Sequence, residues 1–117
     1  MSDLSFVEVL ARSGVPIVRI RGEIDLSNAD GVLALIDDAR DEDAPGLVVD
    51  LHALEYLDSA GVRLLFRASR SVRQSGGCFV AVVPRDSPVR RVLDLAEAST
   101  AFALEESEDA ALDRVTG

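Results

Sequence analysis

Short apolar runs alternate along the chain with segments in which apolar residues recur every three or four positions. The short runs are typical of strands, and the longer period is typical of helices with one buried face. The runs predict strands at residues 6–11, 15–20, 47–49 and 78–83, with a further short strand at 101–104. The periodic segments predict helices that begin near Asn28, at Asp58 or Ser59, at Ser87 and at Ser107.

The order of these elements predicts an α/β fold. Residues 51–57 are too short and too mixed in composition to predict another long element, so the order is ββαβαβα(β)α. The first two strands can form a hairpin, and the long connections between later strands favour right-handed parallel crossovers. We therefore expect one domain over residues 1–117, with a small mixed sheet of four or five strands and about four helices.

The first predicted helix has both a start signal and an apolar stripe. Ser27 with Asp30 three residues later resembles a capping box, so the helix should begin near Asn28. Its apolar positions recur with helical spacing and predict a narrow buried face. They are Val32, Leu35, Ile36 and Ala39.

The most defined local pattern surrounds Ser59. A buried strand ends at Asp50, and two good cap residues, Asp58 and Ser59, stand directly before a helical pattern that runs to about Gln74. Ser59 should therefore lie exposed in the first helical turn. A helix N-terminus has unpaired N–H groups and a partial positive charge, so it can stabilise a phosphate. The small residues at 60 and 61 would leave space for phosphate oxygens, although the simpler interpretation is that Asp58 or Ser59 only caps the helix.

Composition and charge exclude several classes of function. The 117 residues carry a formal net charge of −9, so nucleic acid and anionic lipid are unlikely partners, whereas a basic protein surface is a plausible one. One His and one Cys do not provide an ordinary metal cluster, and we expect no cofactor. No segment approaches the roughly 20 apolar residues of a membrane helix, and the N-terminus has no signal-peptide pattern. We therefore expect a cytoplasmic protein with no direct membrane insertion.

Three motifs resemble those of the STAS-domain anti-sigma factor antagonists. The first is residues 57–62, Leu-Asp-Ser-Ala-Gly-Val, after a strand that ends in Asp-Leu. The second is residues 22–25, Gly-Glu-Ile-Asp, which ends strand two in that family. The third is the Ser-Pro entry to a helix at residues 87–88, although residues 97–100 replace the Gly-Leu exit of the family. The resemblance covers nearly the entire chain.

The resemblance implies a binding module that is switched by phosphorylation and is not an enzyme. In the family, the unphosphorylated antagonist binds an anti-sigma factor that is also a serine kinase, which frees a sigma factor. Phosphorylation of the serine breaks the complex, and a serine phosphatase restores it. The serine of this motif is Ser59 here, and no Gly-x-Ser-x-Gly elbow surrounds it. The expected partner-binding residues are Asp25, Ser27, Asn28, Asp58, Ser59, Ala60, Gly61 and Arg63. The alternative within the resemblance is a STAS regulatory subunit of a membrane transporter or of a stress-signalling scaffold.

A row of arginines follows Ser59 on the same predicted helix. Arg63, Arg67, Arg70 and Arg73 recur at spacings of four, three and three, so they share one side. The simplest interpretation is a solvated face whose aliphatic stems cover apolar surface. The alternative hypotheses are that the row attracts an acidic partner or that Arg63 pairs with a phosphate on Ser59.

Overall fold

Residues 5–117, which the computed structural model describes, form a mixed six-stranded sheet with helices on both faces. The elements are β1 (Ser5–Arg12), β2 (Val15–Ile24), α1 (Ala29–Ala39), β3 (Gly46–Asp50), β4 (Leu54–Leu57), α2 (Ser59–Gln74), β5 (Cys78–Val82), α3 (Pro88–Leu95), β6 (Ala103–Glu105) and α4 (Glu108–Thr116), with a short 3-10 turn at Ala98–Thr100. The predicted α/β class and its four helices are confirmed.

The strand order is β1-β2-β3-β5-β6. β1 and β2 form the predicted antiparallel hairpin, and the pairs β2–β3, β3–β5 and β5–β6 are parallel. Each parallel connection passes through a helix, as a crossover between parallel strands requires.

Two apolar clusters lie on opposite faces of this sheet. The larger cluster packs α1, α2 and α3 against one face, and the smaller packs α4 against the other. The central strands supply both, because successive side chains point to opposite faces: Leu47 and Val49 face the large cluster, and Val48 faces the small one. This double burial explains why residues 47–49 form an unbroken apolar run.

Strand β4 was not predicted, and it raises the sheet to six strands. It pairs in parallel with the last residues of β2, Gly22 with Leu54 and Ile24 with Leu57. Its two buried residues, Leu54 and Leu57, are three positions apart, so the segment lacks the alternation by which a strand is recognised. β2 is correspondingly longer than its apolar run predicted. It ends at Ile24 instead of residue 20, within the Gly-Glu-Ile-Asp motif that ends strand two in the resembled family.

Helix α1 begins where the sequence predicts, but two details of the prediction were wrong. Asn28 is the N-cap and makes no side-chain cap hydrogen bond, so there is no capping box between Ser27 and Asp30. The Ser27 hydroxyl instead donates to Asp25 Oδ1 at 2.5 Å. Leu35 does not join the buried stripe, because its side chain remains 45% exposed while Val32 is buried.

Candidate functional site

Two parallel strand ends bring the candidate residues together. Ile24 ends β2 and Leu57 ends β4, and the two are paired neighbours. Asp58, which directly follows β4, donates its backbone N–H to Ile24 O at 3.2 Å. The loop at residues 25–28 and the start of α2 therefore lie side by side, although more than 30 positions separate them in sequence.

Asp58 joins these two segments through its carboxylate. Its Oδ1 accepts hydrogen bonds from Ala60 N at 2.9 Å and Gly61 N at 3.1 Å, which makes it the N-cap of α2. Its Oδ2 accepts from Leu26 N, in the neighbouring loop, at 3.1 Å. One side chain thus fixes both the first turn of the helix and the position of the loop beside it.

The loop before α1 is held by its own polar side chains. Asp25 Oδ1 accepts from both Ser27 N and the Ser27 hydroxyl, and Asn28 Oδ1 accepts from Asp25 N at 2.9 Å. Asn28 Nδ2 donates to Glu23 O at 2.9 Å. Asn28 therefore shapes the loop from within, whereas Ser27 is exposed and Asp25 is half-buried.

Ser59 is the first residue of α2, and its side chain is exposed. Its hydroxyl makes no hydrogen bond to any other group within residues 5–117. It lies next to the carboxylate of Asp58 and beside the loop that carries Asp25. An exposed hydroxyl without a partner is accessible to a modifying enzyme and does not cap the helix, which Asp58 does.

Three backbone donors of the first turn, at residues 60–62, are already occupied. Asp58 Oδ1 takes the N–H groups of Ala60 and Gly61, and Asp58 O takes that of Val62 at 3.0 Å. The expectation that free N–H groups here would bind a phosphate on Ser59 is therefore wrong at these three positions. The dipole of the helix remains, and it still favours negative charge at this end.

Ala60 and Gly61 are buried and do not lie on the exposed surface. A Cβ placed on Gly61 would lie 2.3 Å from Leu57 Cδ1 and 3.2 Å from Ile24 Cγ2. The glycine of the motif is therefore needed for close packing of α2 against the ends of β2 and β4. The sequence had suggested that this glycine leaves space for phosphate oxygens, but its open side faces Leu57 and Ile24 in the core.

Leu26 is a surface residue that the sequence analysis missed. Its side chain is 78% exposed, directly beside Asp58 and the start of α2. No pattern in the sequence marks Leu26, because single exposed apolar side chains are common on protein surfaces. Its place beside Asp58 makes the side chain available for contact with another molecule.

The four predicted arginines are all exposed on α2, but they are not equivalent. Arg73 donates to Ala101 O at 2.9 Å and so leans towards the turn after α3. Arg63, Arg67 and Arg70 have no hydrogen bond or ion pair with any residue of the described chain.

A charged network lies on the opposite face of the sheet, at the start of α4. Glu108 accepts from Arg19 Nε at 2.6 Å and from Arg12 at 3.1 Å, and it also faces the Asp50 carboxyl group. Burial, together with the hydrogen bond to Glu108, raises the pKa of Asp50 to about 6. The Arg19 guanidinium, helped by Asp50, lowers the pKa of Glu108 to about 2. This network pins α4 to the sheet and is separate from the Ser59 surface.

Residues 5–117 contain neither a metal-binding cluster nor a membrane-spanning helix. No group of His, Cys, Asp and Glu in this part of the chain is arranged to hold a metal ion. None of its helices is both long enough and apolar enough to span a bilayer.

Known proteins place this architecture in a family. A family model for the STAS domain matches residues 6–111. The chain belongs to the STAS domain family. The anti-sigma-F factor antagonist RsfB of Mycobacterium tuberculosis is 34% identical over 111 residues, which are 95% of this chain and 89% of that protein. The anti-sigma F factor antagonist of Paenibacillus polymyxa is 32% identical over 90 residues, 76% of each chain.

The solved structures confirm the STAS fold. The crystal structure of an anti-sigma factor antagonist from Mycobacterium paratuberculosis superimposes with a TM-score of 0.86 at 29% identity, and the match covers 97% of this chain and 95% of that one. The unphosphorylated form of the anti-sigma factor antagonist SpoIIAA superimposes with a TM-score of 0.76 at 23% identity, over 96% and 97% of the two chains.

Proposed function

We propose that this STAS protein is an anti-sigma factor antagonist whose binding is controlled by phosphorylation of Ser59. The observation that carries the proposal is the exposed, unbonded hydroxyl of Ser59, next to Asp58 and beside the loop that carries Asp25. The naming of both curated relatives as antagonists supports the same role. In this role the protein is a binding partner in the cytoplasm, a single domain over residues 1–117, and not an enzyme.

The proposed partner surface consists of the exposed or half-buried side chains around Ser59. Ala60 and Gly61 contribute to it only by fixing the first turn, since both are buried. Asn28 contributes by shaping the loop. The side chains that can touch a partner are Asp25, Leu26, Ser27, Asp58, Ser59 and Arg63.

Phosphorylation would weaken such an interface through charge and desolvation. A phosphate adds about −1.5 to −2 charges at pH 7, next to the carboxylate of Asp58 and near that of Asp25. In the free protein the phosphate stays in water, but in a complex it must be desolvated among like charges. A penalty of about 3–4 kcal/mol would weaken binding by a few hundred-fold, which is enough to switch the complex off.

The decisive experiment compares Ser59→Ala and Ser59→Asp as bait in an extract of the native cell. We expect Ser59→Ala to retain an ATP-binding serine kinase that acts as the anti-sigma factor, and Ser59→Asp to lose it. Ser99→Asp is the matched control, because Ser99 is also exposed and lies after α3. With the recovered kinase and ATP, mass spectrometry should find the phosphate on Ser59, and a serine phosphatase should remove it.

Equal recovery by Ser59→Ala and Ser59→Asp would refute the switch. Transporter components or a scaffold in place of a kinase would favour the other function expected from STAS proteins, that of a regulatory subunit.

Leu26 offers an independent check of the surface. Leu26 and Leu95 are both 78% exposed, but only Leu26 lies on the loop that Asp58 ties to the start of α2. We expect Leu26→Ala to weaken anti-sigma factor binding by about tenfold or more, as a central apolar contact would. Leu95→Ala should bind as the wild type does, and similar effects of the two substitutions would move the interface away from Ser59.

A further inference from the structure

Most arginines of this protein already have a partner within the fold. All twelve basic residues are arginines, in a chain with 21 acidic residues. Arg21 stacks on the ring of Phe6 at 4.7 Å, Arg40 donates to Ser71, and Arg73 donates to Ala101 O. The arginines in ion pairs are Arg12, Arg19, Arg85, Arg90 and Arg114.

Four arginines remain without an ion pair or hydrogen bond to any residue of the described chain. One of them, Arg91, lies on α3, and the other three lie on α2. All four are exposed. The three on α2 are Arg63, Arg67 and Arg70, which we call the α2 arginine row.

Helix geometry aligns this row with Ser59. At about 100° per residue, Ser59 and the three arginines fall within a sector of about 80°, opposite the buried side of α2. At about 1.5 Å per residue, the line from Ser59 to Arg70 is about 16 Å long. The row therefore extends the proposed partner surface along the helix instead of forming a separate patch.

The charge of the row contrasts with that of the rest of the molecule. Like charges at spacings of three and four destabilise a helix, so the row has a cost within the fold. Asp37 and Asp38 on the neighbouring helix α1 are exposed, yet neither forms an ion pair with the row in the described chain. A row of cations left unpaired despite so many available acids is complementary to acidic groups on another molecule.

We propose that the α2 arginine row binds an acidic strip on the anti-sigma factor that contacts the Ser59 surface; this rests on the proposed function above. The net charge of −9 repels an extended polyanion such as DNA, whereas a local strip of carboxylates meets the row without approaching the rest of the acidic surface. Arg63 lies one turn after Ser59, so a phosphate on Ser59 pairs with the Arg63 guanidinium. Arg63 is then no longer available to the acidic strip of the partner. Phosphorylation then both adds repulsion and weakens this attraction.

The test is the association rate of the anti-sigma factor recovered with Ser59→Ala, measured at low and high salt. Arg67→Glu reverses the central charge of the row. Arg91→Glu is the matched control, because Arg91 is also exposed and unpaired within the described chain but lies on α3. We expect Arg67→Glu to slow association by about tenfold or more at low salt, with the difference shrinking at high salt. Arg91→Glu should associate at nearly the wild-type rate, and Arg67→Gln, which adds no new charge, should give an intermediate rate.

Three results would overturn the proposal, and they are distinguishable. If the wild type binds the anti-sigma factor and the Arg67→Glu and Arg91→Glu variants associate at the same rate, the row is not part of the interface while the proposed function stands. If the wild type binds no anti-sigma factor at all, both proposals fail. If Arg67→Glu abolishes retention of a short DNA duplex but leaves association with the anti-sigma factor unchanged, the row serves a polyanion instead.

Discussion

Replacing Gly61 by Ala tests whether the glycine of the Asp-Ser-Ala-Gly motif serves packing or the approach of a phosphate. The added methyl group would lie 2.3 Å from Leu57 Cδ1 and 3.2 Å from Ile24 Cγ2. Leu57 is only 2% exposed and Ile24 is fully buried, so neither side chain can turn away into solvent. Either the Leu57 side chain must repack within the core, or the start of α2 must move away from the ends of β2 and β4.

Two opposing terms set the size of the effect. Overpacking of a core by one methyl group costs about 1–3 kcal/mol. Alanine is a better helix former than glycine by up to about 1 kcal/mol, which offsets part of this cost. We expect the free energy of unfolding to fall by about 1–2 kcal/mol, which lowers the melting temperature by about 4–8 °C for a domain of this size.

Gly31→Ala is the matched control for Gly61→Ala. Gly31 also lies inside a helix, α1, but a Cβ there has no atom within 4 Å. With no packing cost, this substitution should raise the free energy of unfolding by about 0.4–1 kcal/mol. Thermal and urea denaturation of both variants should therefore give shifts of opposite sign. A Gly61→Ala protein as stable as Gly31→Ala would refute the packing explanation.

Three further predictions concern the cap, the acidic network and the phosphate. Asp58→Ala removes the acceptor of two first-turn N–H groups and the tie to the neighbouring loop, so urea denaturation should show a loss of about 1–2 kcal/mol. Because the folded state raises the pKa of Asp50 to about 6, the free energy of unfolding should fall as pH rises from about 4 to 6 and then level off. The folded state lowers the pKa of Glu108 to about 2, so the stability that Glu108 contributes should be lost as pH falls below about 4.5. Urea midpoints against pH should therefore peak near pH 4–5, and Asp50→Asn should abolish the decline above the peak. In the protein phosphorylated on Ser59, a pair with Arg63 should lower the second pKa of the phosphate, and phosphorus NMR titration of Arg63→Gln should show this shift lost.

The sequence alone was sufficient for the elements whose signals are local. Asp58 is a strong N-cap residue directly before a helical period, and the structure places α2 from the next residue. Ser87 with Pro88 predicted the start of α3 in the same way, and Ser87 Oγ accepts from Arg90 N. The unbroken apolar run at residues 47–49 predicted a strand buried on both faces, because only such a strand has no polar side.

The tertiary structure alone decided the features that depend on distant neighbours. β4 exists because β2 extends past β3 and offers its last residues for pairing, which no pattern within residues 54–57 records. The packing role of Gly61 depends on the ends of β2 and β4, which lie against it in the folded chain. The start of α2 carries no free N–H at residues 60–62, because Asp58 satisfies all three.

The same distinction applies to charge. The spacing of the arginines on α2 could be read from the sequence, but which of them are unpaired could not, since an ion pair depends on residues brought together by folding. Arg73 donates a hydrogen bond to the carbonyl of Ala101. In the described chain, Arg63, Arg67 and Arg70 form no hydrogen bond or ion pair. Local propensity thus determined the helices and most strands, and long-range packing determined which side chains were left for another molecule.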